Sequence, residues 1–153
     1  MTQLRLSLGT GYWVHAADGD LDLLALYRRH YSARERAPGT QRQFVGPGAH
    51  IVLTTPRVDA LFVWRKFIDD CEFGGGVNCA VFRNESKCLS SLMILEAEIW
   101  ARDKWPGERL YTYVDASKVR RKRDPGRCFR RAGWTVCGTT KKRGLLVLEK
   151  VPE

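Results

Sequence analysis

Short segments in which apolar and polar residues alternate run through much of the chain. Alternation of this kind is typical of β-strands with one buried face. Turn residues separate three such segments in the middle of the chain, which therefore predict successive antiparallel strands. A last pair, joined by a short polar turn, predicts a closing hairpin. The predicted strands are Leu4 to Val14, His50 to Thr54, Leu61 to Ile68, Val77 to Arg83, Leu110 to Asp115, Thr135 to Thr139 and Leu145 to Glu149.

Apolar residues at helical spacing predict two longer helices. The first begins within the acidic segment 18–22, where negative charge suits a helix N-terminus, and it places Leu24, Tyr27 and Tyr31 on one face. The segment between this helix and the second predicted strand is polar and rich in Gly and Pro. A loop of that length in a compact domain is usually functional or disordered.

The second helix is predicted over Ser91 to Trp105, with Ser90 or Ser91 as its N-cap. Its apolar residues lie on two sides, so we expect it to be covered from two directions, by a sheet and by a loop. The two sides are formed by Met93, Ala97 and Trp100, and by Leu92, Leu95 and Ile99.

A short third helix is predicted over Pro125 to Ala132, inside the densest positive charge of the chain. Asp124 can cap its first turn, Pro125 suits the first helical position, and Gly133 can end it in a left-handed conformation. Cations at this density repel one another unless water or phosphate screens them. The segment therefore indicates a phosphate-contacting surface, the alternative being a solvated basic loop. Its cations are Lys118, Arg120, Arg121, Lys122, Arg123, Arg127, Arg130 and Arg131.

The order of these elements predicts one domain over residues 1–153, of class α/β (α+β), with a mixed, mainly antiparallel sheet flanked by helices. A chain of this length can bury a hydrophobic core without disulfide or metal staples. The net charge of +9 favours an anionic partner, and double-stranded DNA is the leading candidate. We find no apolar run long enough for a membrane span and no signal-peptide core, so a cytoplasmic protein is expected.

Five cysteines occur, and no pair has the C-x-x-C spacing of a zinc site. Their odd number and their spacing predict reduced, mostly buried thiols, with neither a disulfide frame nor a metal site. The oligomeric state is left open by the sequence.

The element order resembles the fold of the GNAT N-acetyltransferases, as does a late short helix followed by Gly133 and Trp134. In that family a strand leads into a helix whose N-terminus binds the pyrophosphate of the donor, through a glycine-containing loop. Here the corresponding segment, Arg83 to Ser91, contains no glycine, and Phe129 stands where many members have a catalytic tyrosine. The resemblance therefore implies the fold but argues against ordinary acetyl-CoA chemistry.

A second resemblance is narrower and covers mainly the second half of the chain. The chain is similar there to phage proteins related to Mom, which share the GNAT-like fold, lack its donor loop, and add a carbamoylmethyl group to N6 of adenine in DNA. In the first half the similarity is limited to the segment from Arg29 to Ser32. The residues that carry it in the second half are Phe82 to Glu85, Ser90 and Ser91, Thr112 to Asp115, Pro125, Gly126, Cys128, Phe129, Ala132 to Trp134, Gly138, Thr140 and Lys141.

This resemblance implies a phage anti-restriction enzyme that modifies adenine, acting in the cytoplasm of the host. His30 or Asp115 would accept the N6 proton, with Tyr31 beside His30, and Arg83 would orient a carboxylate or carbonyl of the donor. Ser90 and Ser91 would meet donor oxygens at a helix N-terminus. Candidates to stack on an extruded base are Tyr31, Tyr113 and Trp64.

Each residue also has a purely structural interpretation. His30 is typical of a helix cap or a surface position, Asp115 of a turn, and Ser90 and Ser91 of a helix cap. Arg83 has salt-bridge partners nearby in sequence, Glu85 and Glu96. Two other functions remain open, a GNAT-type acyltransferase acting on a small amine or protein, and a basic nucleic-acid-binding domain without catalytic activity. The donor and any metal requirement are not identified by the sequence.

Overall fold

The computed structural model describes residues 11–29, 45, 48–66, 75–117 and 125–152. Within these ranges the chain forms a seven-stranded sheet and three helices. In chain order they are β1 (Val14–Ala16), α1 (Leu21–Arg28), β2 (Ala49–Thr54), β3 (Ala60–Lys66), β4 (Val77–Asn84), α2 (Ser90–Lys104), β5 (Leu110–Val114), α3 (Arg127–Arg131), β6 (Thr135–Thr139) and β7 (Leu146–Lys150).

The strands lie in the order β1-β2-β3-β4-β5-β7-β6. Every neighbouring pair is antiparallel except β4 and β5, which are parallel and are connected by α2. A parallel pair needs a crossover of this length, so α2 has to return along the sheet. The predicted fold class, a mixed and mainly antiparallel sheet with flanking helices, is confirmed.

Several predicted boundaries are wrong for local reasons. Residues 11–13, which the first predicted strand included, belong to no strand, and β1 begins only at Val14, while the earlier part of that prediction lies outside the described residues. The third helix begins at Arg127 and not at Pro125, because Gly126 before it has φ 74° and is therefore left-handed. Its end is as predicted, with Gly133 at φ 95°.

The core lies on both faces of the sheet. On one face α2 and α3 cover a cluster that includes Phe62, Trp64 and Trp134, each almost completely buried. On the other face α1 packs Leu23 and Leu26 against β2, β3 and β4. The sheet is therefore a central layer whose two faces are both occupied by helices.

The outer side of α2 differs from the prediction that the helix is covered from two directions. Leu92, Leu95 and Ile99 are 40–45% exposed, whereas Met93, Ala97 and Trp100 are buried against the sheet. One side of α2 therefore does the packing, and the second apolar side faces outward.

Two buried carboxylates of α2 join it to distant parts of the chain. Glu96 accepts hydrogen bonds from the backbone N–H groups of Tyr12 and Trp13, at 3.1 and 2.9 Å. Glu98 has no exposed surface, and it accepts from Lys150 Nζ at 2.8 Å and from Trp134 Nε1 at 3.1 Å. These bonds connect α2 to the segment before β1 and to the last two strands.

Candidate functional site

The parallel strands β4 and β5 pair over only three residues and then separate. Their last paired residues are Cys79 and Thr112, and the Thr112 hydroxyl donates to the Cys79 carbonyl at 3.0 Å. One extra residue, Ala80, interrupts the pairing of β4 with β3 at the same level, which is the geometry of a β-bulge. We call the gap beyond Cys79 and Thr112 the strand fork. It lies at the carboxyl ends of two parallel strands, where open sheets bind ligands.

On the α1 side of the strand fork, Arg83 at the end of β4 is fixed by two contacts. Its Nε donates to Glu85 at 2.9 Å, and its Nη1 donates to the backbone carbonyl of Arg29 at 2.9 Å. Arg29 in turn binds the Glu85 carboxylate through two nitrogens, at 2.6 and 2.8 Å. The salt bridge from Arg83 to Glu85 is the structural alternative that the sequence offered. The end of α1 is thereby held against the end of β4.

The two arginines change the pKa of the Glu85 carboxylate. Its hydrogen bond with Arg29, supplemented by Arg83, lowers the pKa of Glu85 from 4.5 to about 2. Arg83 keeps one nitrogen, Nη2, that makes no hydrogen bond within the described ranges. That group can still meet an incoming anion.

His30 and Tyr31 lie outside the described residues, immediately after Arg29. Asp115 follows β5 at the same edge of the sheet as Arg83, and its Oδ1 accepts from the Ser117 N–H at 3.0 Å and from the Ser117 hydroxyl at 2.6 Å. Asp115 therefore forms the turn that its alternative interpretation expected. The structure thus places Arg83 and Asp115 on the two arms of the strand fork.

The aromatic residues predicted to stack on a base differ in their burial. Trp64 cannot stack on a base, because it is fully buried and its Nε1 donates to the Ala97 carbonyl at 2.9 Å. Tyr113 is partly exposed on β5 and contacts Tyr111 edge-on, with ring centroids 5.6 Å apart. Of the described candidates, only Tyr113 lies at the strand fork with exposed surface.

The loop between β4 and α2 is held by side chains in place of glycines. Asn84 Nδ2 donates to the Cys88 carbonyl and to Ser90 Oγ, each at 2.9 Å. Asn84 Oδ1 accepts from the Ser86 N–H at 2.9 Å, and Ser86 Oγ accepts from the Cys88 N–H at 3.2 Å. This network fixes the loop without the left-handed residues that a glycine-rich phosphate loop uses.

At the start of α2, neither Ser90 nor Ser91 caps the helix. The N-cap is Leu89, which makes no side-chain cap hydrogen bond. The backbone N–H groups of Ser90 and Ser91 have no hydrogen-bond partner within the described ranges. Ser90 is partly exposed, but Ser91 is 7% exposed and faces inward. Ser90 is therefore the better placed of the two to meet a ligand.

The late helix α3 closes the α2 side of the strand fork. Phe129 lies edge-on to Phe82 of β4, with centroids 6.2 Å apart, and also contacts Trp134. A Cβ at Gly126 would come within 3.2 Å of both methyl groups of Leu148, and the residue is left-handed as well. Gly126, Phe129 and Trp134 are therefore packing residues of the motif.

The predicted DNA-contacting segment is described in part. Arg127, Arg130 and Arg131 are exposed on α3, and Arg130 donates to the Pro125 carbonyl at 3.0 Å. The remaining cations, Lys118, Arg120, Arg121, Lys122 and Arg123, lie outside the described residues. A further basic group, Lys141 to Arg143, was not among the predicted phosphate contacts, although Lys141 belongs to the resemblance to the Mom-related proteins. Its run of three cations in a turn was the signal that could have identified it.

The four described cysteines are free thiols in two environments. Cys79 is buried, which raises its pKa, and burial also raises the pKa of Cys128. Cys88 and Cys137 are exposed, so the prediction of mostly buried thiols is wrong for these two.

The described part of the chain contains neither a cluster of metal ligands nor a membrane-spanning helix. No cluster of three His, Cys, Asp or Glu residues in that part is arranged to hold a metal ion. None of its helices combines the length and the apolar character that spanning a bilayer requires. Comparison with protein-family models and with curated proteins finds no match to this chain.

Proposed function

We propose that this protein is a transferase that modifies the N6 amine of adenine in DNA, as do the Mom-related proteins that its sequence resembles. The observation that carries the proposal is the strand fork. It has an arginine on one arm, an aspartate on the other, and the predicted basic segment directly after β5. A DNA substrate of this kind would place the protein in the cytoplasm of the host, where the modification would protect phage DNA from restriction.

The reaction makes specific demands on such a site. Adenine N6 is a weak nucleophile because its lone pair is delocalised into the ring, so an enzyme has to orient it. As the new N–C bond forms, an enzyme base accepts the N6 proton, while the bond between the transferred carbon and the donor breaks and the donor leaves with that electron pair. The base also has to leave the duplex stack, at a cost of roughly a few kcal/mol. Asp115 or His30 would accept the proton, and Tyr113 would stack on the extruded base.

The donor would be held on the other arm of the strand fork. Nη2 of Arg83 is available for a carboxylate or carbonyl, while Glu85 and the Arg29 carbonyl fix the rest of the guanidinium. The open N–H groups of Ser90 and Ser91 offer hydrogen bonds to donor oxygens.

The loop before α2 argues for a donor other than acetyl-CoA. Glu85, Lys87 and Leu89 carry side chains where a phosphate-binding loop needs close backbone approach, and Glu85 adds negative charge. We expect no acetyl-CoA binding at micromolar concentration by calorimetry. Binding that is lost on replacing Ser90 would support the acyltransferase alternative.

The test of the function is to express the protein in a bacterial host, digest the host DNA to nucleosides, and analyse them by mass spectrometry. We expect a deoxyadenosine whose mass has increased by that of a carbamoylmethyl group replacing one hydrogen. The variant Arg120→Ala, Arg121→Ala, Arg123→Ala should bind unrelated duplexes more weakly and with a smaller salt dependence. Unmodified nucleosides together with tight duplex binding would favour the non-catalytic alternative.

A further inference from the structure

The turn between β6 and β7 lies at the same edge of the sheet as the strand fork. Leu146, the first residue of β7, pairs with Val114 at the end of β5 on one side and with Thr139 at the end of β6 on the other. The turn residues 140–144 therefore join β7, the neighbour of β5, to β6, the next strand in the sheet. With strands about 4.8 Å apart, the turn lies roughly 5 to 10 Å from the end of β5.

The turn is closed by its own hydrogen bonds. The Thr140 N–H donates to the Leu145 carbonyl at 2.9 Å, and the Gly144 N–H donates to the Thr140 carbonyl at 3.1 Å. The Thr140 hydroxyl also accepts from the Leu145 N–H at 2.9 Å. Gly144 has φ 64°, a left-handed conformation that favours glycine. The residues between Thr140 and Gly144 are therefore presented by a closed turn.

Those residues are Lys141, Lys142 and Arg143, which we call the hairpin tip. All three are exposed, and none forms an ion pair with another described residue. Other cations of the protein are paired, for example Lys66 with Glu108 and Arg109 with Glu149. Three adjacent unpaired cations raise the electrostatic cost of the folded tip unless an anion binds there.

We propose that the hairpin tip is a second phosphate-contacting element, which binds the backbone of duplex DNA on the β6 side of the strand fork. This inference rests on the proposed function. Successive charges on one DNA strand are about 3.4 Å apart along the helix axis, so a separation of roughly 5 to 10 Å corresponds to about two or three nucleotides. The tip would thus contact phosphates close to the target base, and the predicted basic segment after β5 would contact others.

The test measures the affinity for an unmodified duplex of arbitrary sequence over a range of salt concentrations. We expect the variant Lys141→Ala, Lys142→Ala, Arg143→Ala to reduce the slope of log affinity against log salt by up to about 0.9 for each lost phosphate contact. The single variant Lys142→Ala, which removes one charge of the tip, should reduce the slope by at most about 0.9, and Lys104→Ala is its matched control. Lys104 is also exposed but lies at the end of α2, at the opposite edge of the sheet, where its Nζ donates to the His50 carbonyl.

The outcomes separate this inference from the proposed function. A reduced slope in the triple variant, an unchanged slope in Lys104→Ala, and recovery in Lys141→Arg, Lys142→Arg with Arg143 retained would support the tip contact. If the host DNA were unmodified in the same experiments, the proposed activity would be wrong but the phosphate contact of the hairpin tip would still be supported. A triple variant with the slope of the wild type would overturn the inference and leave the proposed activity standing. Absence of duplex binding by the wild type would overturn both.

Discussion

Two glutamates of this chain have comparable partners in very different surroundings. Glu98 has no exposed surface and is bound by Arg102, Lys150 and Trp134. Glu85 is bound by two arginines at the strand fork, where 28% of its side chain is exposed. Breaking a buried ion pair by removing either partner destabilises the fold strongly, because the remaining group stays buried without compensation. An exposed ion pair contributes little to stability.

This difference divides the protein into a rigid part around Glu98 and an edge at the strand fork that can rearrange. The contacts of Glu98 join α2 to the end of α3 and to the last two strands, so they fix the packing on one face of the sheet. The contacts of Glu85 position Arg29, which directly follows α1, and Arg83, which lies near the end of β4. The network at the strand fork can therefore rearrange around a ligand at small cost to the fold.

The largest expected effect is on stability at the buried site. Glu98→Ala should lower the free energy of unfolding by roughly 3 kcal/mol, because it leaves Lys150 without its buried counter-ion and the Trp134 N–H without its acceptor. Urea denaturation of the purified protein measures this loss. The matched change, Glu85→Ala, should cost less than about 1 kcal/mol. Equal losses in the two variants would contradict the division.

The cysteines test the same division by their reactivity. In the folded protein, alkylation should modify Cys88 and Cys137 long before Cys79 and Cys128, since burial raises the pKa of the latter two and limits access. Mass spectrometry of peptides from partly alkylated protein gives the order. Labelling of Cys79 as fast as that of Cys88 would show that the base of the strand fork is open.

The smallest expected effect is the pH dependence of the stability that Glu85 contributes. The pKa of Glu85 is lowered to about 2, below its ordinary value of 4.5, so the pair stabilises the folded state above pH 4.5 and loses this contribution as the pH falls toward 2. The stability difference between the wild type and Glu85→Gln should therefore be constant from pH 7 to about 5 and should then shrink. A difference that grows on acidification would contradict this assignment. Urea denaturation at several pH values measures it.

The fold was largely predictable because its signals are local. Alternation identified β2 to β7 to within a residue or two wherever both ends are described, and the acidic segment before α1 identified that helix, which Asp20 caps. The boundaries at Gly126 and Leu89 could not be derived from sequence preferences. There the packing of Gly126 against Leu148 and the hydrogen bonds of Asn84 outweigh the preferences of Pro and Ser.

The candidate site was less predictable because it depends on contacts between distant segments. The sequence suggested Glu85 as a partner of Arg83, but not the bidentate bond from Arg29, which is 56 residues away from Glu85. It offered Trp64 as a candidate to stack on a base, with core packing as the alternative, and the indole does hydrogen-bond to α2 in the core. Much of the motif that resembles the Mom-related proteins, including Phe129 and Trp134, turns out to pack the core. That motif therefore supports the fold more directly than the chemistry.

Asp115→Asn tests most directly our proposal that adenine is modified at the strand fork. Asparagine keeps the oxygen that accepts the Ser117 hydrogen bonds but cannot act as a carboxylate base. In nucleoside mass spectrometry of host DNA, we expect modified adenine with the wild type and with the control Asp103→Asn, an exposed aspartate of α2. We expect none with Asp115→Asn at unchanged melting temperature and duplex affinity. Full modification by both Asp115→Asn and His30→Ala, or none by the wild type, would contradict the account.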